Sequence, residues 1–416
     1  MKSVSRRQWS GWQRAVTGLT IGVLVVASWL AWRAVTATAP VIPSWTYDVG
    51  FGSSTPAVAD GVVYVLGGEL GENRMYALDA ATGKQRWTRK LPNVPSIGYS
   101  DPVVAGGVVY TTSDGRMYAL DAATGEQRWT YDTRNRAKVD FSPVVTGDAV
   151  YFSDDAGRVY VLDAATGKRR WSYENRDLVD ITSSPVVAGD AVYFGDDAGR
   201  VHALDAATGK RRWSYETGYR AEVDSSPVVA GDAVYFDDDA GRVYALDAVT
   251  GKHRWTYRKH SLLDTIFSPV VAEGAVYFTA SSMHALDAAT GEQRWIDEIR
   301  GIPYSSVVLA DGVVYAVHAR KDEKRVYALD AATGTERWTH KFSGTLGGRY
   351  LDPVVADGVV YLSDDKENRV HALDAATGEH RWTYETGDRT FRPVVADGVV
   401  YISTGHTVSA VKAPAG

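Results

Sequence analysis

From Trp45 to Val411 the apolar residues fall in short runs divided by turn-forming residues, and one stretch shows the whole cycle. Pro185-Val186-Val187-Ala188 is an apolar run opened by proline, which a strand tolerates at its first position. Gly189-Asp190 supplies a tight turn, and Ala191 to Phe194 reads as a second strand. Asp196-Asp197-Ala198-Gly199 turns the chain into Arg200-Val201-His202-Ala203-Leu204, a third strand. In Asp205-Ala206-Ala207-Thr208-Gly209 the carboxylate caps backbone donors and the glycine takes positive φ, after which Arg212-Trp213-Ser214-Tyr215 is the fourth strand. Four strands in 42 residues leave no room for a crossover helix, so the unit is an antiparallel meander.

This unit recurs. Its Trp returns at Trp87, Trp129, Trp171, Trp213, Trp255, Trp295, Trp338 and Trp382, at spacings of 42, 42, 42, 42, 40, 43 and 44 residues. Such a period suits four-stranded propeller blades stacked radially, with the Trp as a spacer between blades. First-strand signals near Pro56, Pro102, Pro143, Pro185, Pro227, Pro269, Ser306, Pro353 and Pro393 number nine. The last unit lacks a Trp strand, whereas Trp45-Thr46-Tyr47-Asp48 is a Trp strand with nothing before it. Placing Trp45 at the outer edge of the final blade closes a nine-bladed ring and removes its open edges. Eight blades with a displaced terminal unit is the alternative.

Ahead of the repeats, Ala15 to Trp32 is an uncharged run, close to the roughly 20 residues a helix needs to cross a bilayer. Four cations precede it, and after Arg33 the next is Arg74, which predicts an N-inside orientation. The expected organisation is a cytoplasmic basic tail at 1–14, a transmembrane signal-anchor helix at 15–33, a linker at 34–44, the propeller at 45–411 and a C-terminal tail at 412–416. The protein is then a single-pass protein of the cell membrane, its propeller on the extracytoplasmic side. Cleavage near Ala37-Thr38-Ala39 would instead release it, secreted or periplasmic, and Ser5-Arg6-Arg7 resembles a twin-arginine export signal.

The 416 residues contain no Cys, which excludes thiolate chemistry, cysteine-ligated metals and a lipidated-cysteine anchor. The net charge of −6 hides an uneven distribution. Removing the five cations of residues 1–33 leaves 40 basic against 51 acidic residues, about −11, a sign that repels nucleic acid.

The pattern carried by Ala203, Asp205, Thr208, Gly209 and Trp213, repeated in seven other units, resembles the quinoprotein-type propeller repeat. That repeat is shared by pyrroloquinoline-quinone (PQQ) dehydrogenases and by the BamB-like proteins of outer-membrane barrel assembly. The resemblance implies the fold over residues 45–411. For a dehydrogenase it further implies PQQ on the ring axis, a calcium ion, an aspartate base and often a pair of adjacent cysteines, which this chain lacks. No cofactor is therefore expected, with PQQ and calcium as the alternative.

Candidate chemistry is sparse. Asp154-Asp155, Asp196-Asp197, Asp237-Asp238-Asp239 and Asp364-Asp365 share the second turn, read as turn capping and solvated charge, with weak calcium sites as the alternative. His202, His284 and His371 take a strand position that is Tyr in other units, and His253 and His380 read as residues of the final turn. No paired-ligand spacing, P-loop or nucleophile elbow occurs. What varies is the rim formed by the second-strand turns and the inter-blade connections. Arg136, Arg176, Arg220, His260, Arg300, Tyr350 and Arg392 are the candidate protein-binding residues there, since Arg and aromatic side chains dominate interface energetics. The expected function is a membrane-anchored scaffold for proteins or envelope components. The rivals are a PQQ-dependent dehydrogenase and a ligand-sensing ectodomain.

Overall fold

The computed structural model describes residues 41–412 except 70–71, 93–99, 134–136, 140, 176–178, 219–220, 224, 259–267, 298, 300, 321–322, 343–351 and 365–366. The membrane helix expected at 15–33 lies outside the described residues. Among those described there is no helix, and so none long and apolar enough to cross a membrane.

Nine antiparallel sheets follow one another along the chain, so the ring has nine blades, as the repeat count predicts. In blade 4 the strands are Val186–Ala188, Ala191–Gly195, Arg200–Asp205 and Arg211–Glu216. Val186 lies opposite Tyr193, Tyr193 opposite Ala203 and Ala203 opposite Trp213, and a bulge follows at Ala203/Leu204. Blades 1 and 7 have longer central hairpins, Val62–Glu69 with Glu72–Asp79 and Val313–Arg320 with Glu323–Asp330. Blade 7 also gains Ile302–Pro303 as a fifth strand on Val313–Arg320. Val307, not Ser306, takes the place of the usual proline there, one residue before the strand Val308–Ala310.

Closure follows the expected scheme. Trp45–Asp48 pairs antiparallel with Thr407–Lys412, Trp45 opposite Ala410 and Asp48 opposite Thr407. The first segment of the propeller is thus the outer strand of the last blade. Across the closing seam Trp45, Tyr401 and Val408 of blade 9 pack with Val63, Val65 and Leu78 of blade 1.

The core lies between blades rather than within them. Tyr193, Val201, Ala203 and Trp213 of blade 4 form one buried cluster with Val234, Phe236, Tyr244 and Leu246 of blade 5. Each sheet is buried on both faces, which is why the second strands read as continuous apolar runs instead of alternating. A buried Trp removes roughly 200 Å² from water, worth roughly 5 kcal/mol before entropy is counted.

The repeat motif is the fastener of eight of the nine seams, blade 9 having no such turn to meet Trp382. Asp205 Oδ1 accepts from the Thr208 N–H at 2.9 Å and the Thr208 hydroxyl at 2.7 Å, while Oδ2 takes Arg212 at 2.7 Å. These bonds, the Arg212 guanidinium first, hold the Asp205 carboxyl down at about 2. The turn so fixed puts Gly209, at φ +68°, against the Trp171 ring of the preceding blade. The Trp171 N–H then donates to the Ala206 carbonyl at 2.9 Å. Asp, Thr, Gly and Trp are coupled because one blade's turn is the next blade's packing surface.

The acidic second turns depart from expectation. Asp154, Asp196, Asp238 and Asp364 are buried, not solvated. Capping does occur: Asp196 Oδ1 accepts from Ala198 and Arg200 N–H. Its Oδ2, however, meets His202 Nε2 at 2.8 Å and accepts from Asn175 Nδ2 of the preceding blade at 3.1 Å. Asp154 and Asp238 accept Tyr160 and Tyr244 hydroxyls in the same way. The third-strand aromatic lies on the same face as the carboxylate and draws it into the seam. His253 and His380 are also corrected, since each begins a fourth strand.

Candidate functional site

In each blade the first strand has only three residues, and first strands of neighbouring blades stand side by side, those of blades 9 and 1 included. They form the innermost circle. Two residues before each first strand lies the last residue of the variable rim, so these residues ring the mouth of the central channel. Six carry hydroxyls: Thr55, Ser142, Ser184, Ser226, Ser268 and Ser306. Three are charged: Asp101, Asp352 and Arg392.

The charged three occupy one arc. Asp352 belongs to blade 8, Arg392 to blade 9, and Asp101 to blade 2, beyond Thr55 of blade 1. Each aspartate ties the preceding blade: Thr55 N–H donates to Asp101 Oδ1 at 2.9 Å, and Ser306 N–H donates to Asp352 Oδ1 at 2.8 Å. Asp101 is exposed, yet desolvation raises its carboxyl, opposed by the Thr55 hydrogen bonds and the Arg392 charge. The Arg392 charge lowers the Asp101 carboxyl with blade 1 between them around the ring. Arg392 is exposed and makes no hydrogen bond or ion pair among the described residues.

Of the seven candidate rim residues, only Arg392 is among those described. Arg136, Arg176, Arg220, His260, Arg300 and Tyr350 lie outside the described residues. On the same rim Phe51 is 52% exposed, its ring 4.5 Å from that of His406, and Ile302 is 59% exposed. The opposite rim repeats its self-capped turns. Asp101 and Asp352 were not singled out in the sequence; the available signal was that they stand where four other units have Ser before Pro.

His202, His284 and His371 occupy third strands, where His202 stacks on Phe194 and His284 on Phe278. Among the described residues no group of three His, Asp or Glu is placed to hold a metal ion.

Three overlapping matches, at residues 30–257, 176–318 and 279–416, join this chain to the family described as outer membrane protein assembly factor BamB. The chain belongs to this family. No curated protein sequence matches it. Among solved structures, BamB from Moraxella catarrhalis is 18% identical, with 90% of this chain and 98% of that chain covered, at a TM-score of 0.56. A quinohemoprotein alcohol dehydrogenase of Pseudomonas putida is 16% identical over 90% of this chain and 76% of its own, at 0.60. The computationally designed protein Ika8 is 17% identical over 76% of this chain and 96% of its own, at 0.59. At these identities the likenesses establish the propeller fold, which BamB members share with quinoprotein enzymes.

Proposed function

We propose that this BamB-family protein is a membrane-tethered, extracytoplasmic scaffold whose varied rim binds a protein partner of outer-membrane assembly. The observation that carries the reading is the contrast between the rims. One is built of self-capped repeat turns, whereas the other exposes Phe51, Ile302 and Arg392 at unlike places. Aromatic, aliphatic and Arg side chains on a polar rim are the composition of interface hot spots.

The described residues at the channel mouth do not suit PQQ. Among the described residues a polycarboxylate quinone would meet one arginine and two aspartates on this arc, beside first strands of small and aliphatic residues that give no aromatic platform. The chain has no cysteine pair to flank it.

The test uses the full chain in detergent, incubated with envelope extract. A variant carrying Phe51→Asp and Arg392→Glu should lose its partner, while charge reversal of Lys168, Lys210 and Lys252 on the opposite rim should not. Equal retention by both variants would remove the case. Protease added to spheroplasts should digest residues 45–411, and dye reduction with PQQ and calcium should stay at background.

A further inference from the structure

The self-capped rim repeats its backbone but not its charges. At the two positions after the turn glycine, where the outer strand begins, blades 3, 4 and 5 carry Lys168-Arg169, Lys210-Arg211 and Lys252-His253. At the same positions blades 6, 7 and 8 carry Glu292, Glu336 and Glu379. All of these residues are exposed, and none of the lysines or glutamates makes an ion pair among the described residues. The first turns sharpen the contrast: Asp232 of blade 5 is bridged by Arg254 at 2.7 Å, whereas Glu273 of blade 6 is exposed and makes no ion pair among the described residues. An arc of three cationic blades thus meets an arc of three anionic ones between blades 5 and 6, which pack directly on each other. Two apolar departures from the repeat stand beside that boundary. Val249 of blade 5, 70% exposed, takes a turn position that is Ala in the seven other turns. Ile296 of blade 6, 45% exposed, takes an outer-strand position that is Thr or Ser in the eight other blades. Trp295 turns toward blade 7, its N–H on the Ala331 carbonyl at 2.9 Å, so by alternation Ile296 lies on the side of blade 5.

We infer that this boundary is the contact of a two-fold symmetric dimer, blade 5 of each copy against blade 6 of the other. The charge order selects a second copy of the chain as the occupant. A uniformly acidic partner gains blades 3 to 5 and is repelled by blades 6 to 8, and a basic one meets the reverse. A surface with both signs in opposite order fits, and the chain itself carries that surface. The same order fixes the axis. With the two-fold parallel to the ring axis, blade order reverses across the contact, so blade 5 meets blade 6 and, farther out, blade 4 faces blade 7. Lys252 then meets Glu292 twice, with Ile296 and Val249 supplying the apolar centre from which water is excluded. A two-fold that turns one ring over matches blade 5 with blade 5 and sets like charges together. In the favoured arrangement both copies show the varied rim on the same side, so the dimer does not depend on the scaffold reading and leaves the partner-binding rim open.

Sedimentation velocity of the full chain in density-matched detergent, from about 1 to 100 μM, tests the inference. It should show an equilibrium between monomer and dimer that weakens as salt screens the two arcs. Lys252→Glu and Glu292→Lys should each raise the dissociation constant about tenfold, and the two together in one chain should restore it, since each contact then carries the same pair reversed. Ile296→Thr, which installs the residue type of the other blades and so spares the fold, should raise it about fivefold. Lys84→Glu, at the same position of blade 1, should change nothing. Because the chain has no cysteine, Lys252→Cys and Glu292→Cys copies mixed under oxidising conditions should cross-link to each other, and neither to itself. A monomer at about 100 μM, a dimer indifferent to the charge and Ile296 variants, or cross-linking of Lys252→Cys copies to themselves overturns the inference.

Discussion

The Trp213 indole N–H and the Tyr193 hydroxyl, both of blade 4, donate to the same Ala248 carbonyl of blade 5, at 3.0 and 3.1 Å. Both lone pairs of that oxygen are filled from one neighbour. The relation returns at Ala122, served by Trp87 and Tyr64, and at Ala80, served by Trp45 and Tyr401 across the closing seam. The seams are therefore specified by hydrogen bonds as well as by apolar area. Trp213→Phe keeps most of the area and loses the N–H, and should cost about 1–2 kcal/mol in urea unfolding. Trp213→Ala also leaves a cavity and should cost about 3–5 kcal/mol.

The turn glycine that lies beneath an indole is predicted to be more sensitive than other glycines of like backbone. A Cβ on Gly209 would stand 2.5 Å from the Trp171 ring, whereas one on Gly189 meets nothing within 4 Å; both residues have positive φ. Gly189→Ala should therefore cost only the left-handed strain, about 1 kcal/mol, and Gly209→Ala about 1–3 kcal/mol more. Comparing the two midpoints at equal m-value isolates the packing term.

Blade closure depends on one short strand. Deleting residues 42–48 exposes the Thr407–Lys412 edge and removes Trp45 from the seam with Val63, Val65 and Leu78. The shortened propeller should unfold at lower temperature and aggregate through the free edge. Light scattering during a thermal ramp reads both effects.

His371 is held neutral by the fold. Burial lowers its pKa to about 4, with Arg369, His380 and His340 acting in the same sense and Asp364 opposing. Between pH 4 and the ordinary histidine value the unfolded chain binds the extra proton. Stability should thus rise with pH through that window, by on the order of 2–3 kcal/mol from this group, and be lost as pH falls through it. Other blades carry Tyr here, and Tyr160 donates its hydroxyl to Asp154 at 2.9 Å. His371→Tyr should flatten the stability profile between pH 4 and 6.5 without reducing stability at pH 7.

Lys324, 1% exposed, faces blade 8 with its Nζ 3.8 Å from Asp364 Oδ1, beside a void of about 10 Å³. Lys324→Met should destabilise by about 3 kcal/mol, because it removes the cation facing a buried carboxylate. Blade 1 solves the same seam with neutral groups, Asn73 Nδ2 donating to Ser113 Oγ at 3.1 Å. Lys324→Asn combined with Asp364→Ser transplants that pair and should recover most of the loss, a non-additivity that a double-mutant cycle measures.

The blades, their number and their closure were legible in the chain because they are local or periodic. A turn declares itself in Asp-Ala-Ala-Thr-Gly, a strand in its apolar run, and the missing Trp strand of the last unit has one match, at Trp45. Packing across seams was not legible in this way. Whether the aspartate of a second turn faces water or the next blade depends on which face its third-strand neighbour occupies, and Asp196 was drawn inward by His202 and Asn175. The charged arc at the channel mouth was hidden for the same reason. Arg392 and Asp101 stand 291 positions apart in a chain of 416 residues, and only closure of a nine-bladed ring sets them on one arc. Sequence periodicity dictates what each blade is; the ring brings unlike blades face to face, and so determines which of their departures from the repeat can act together.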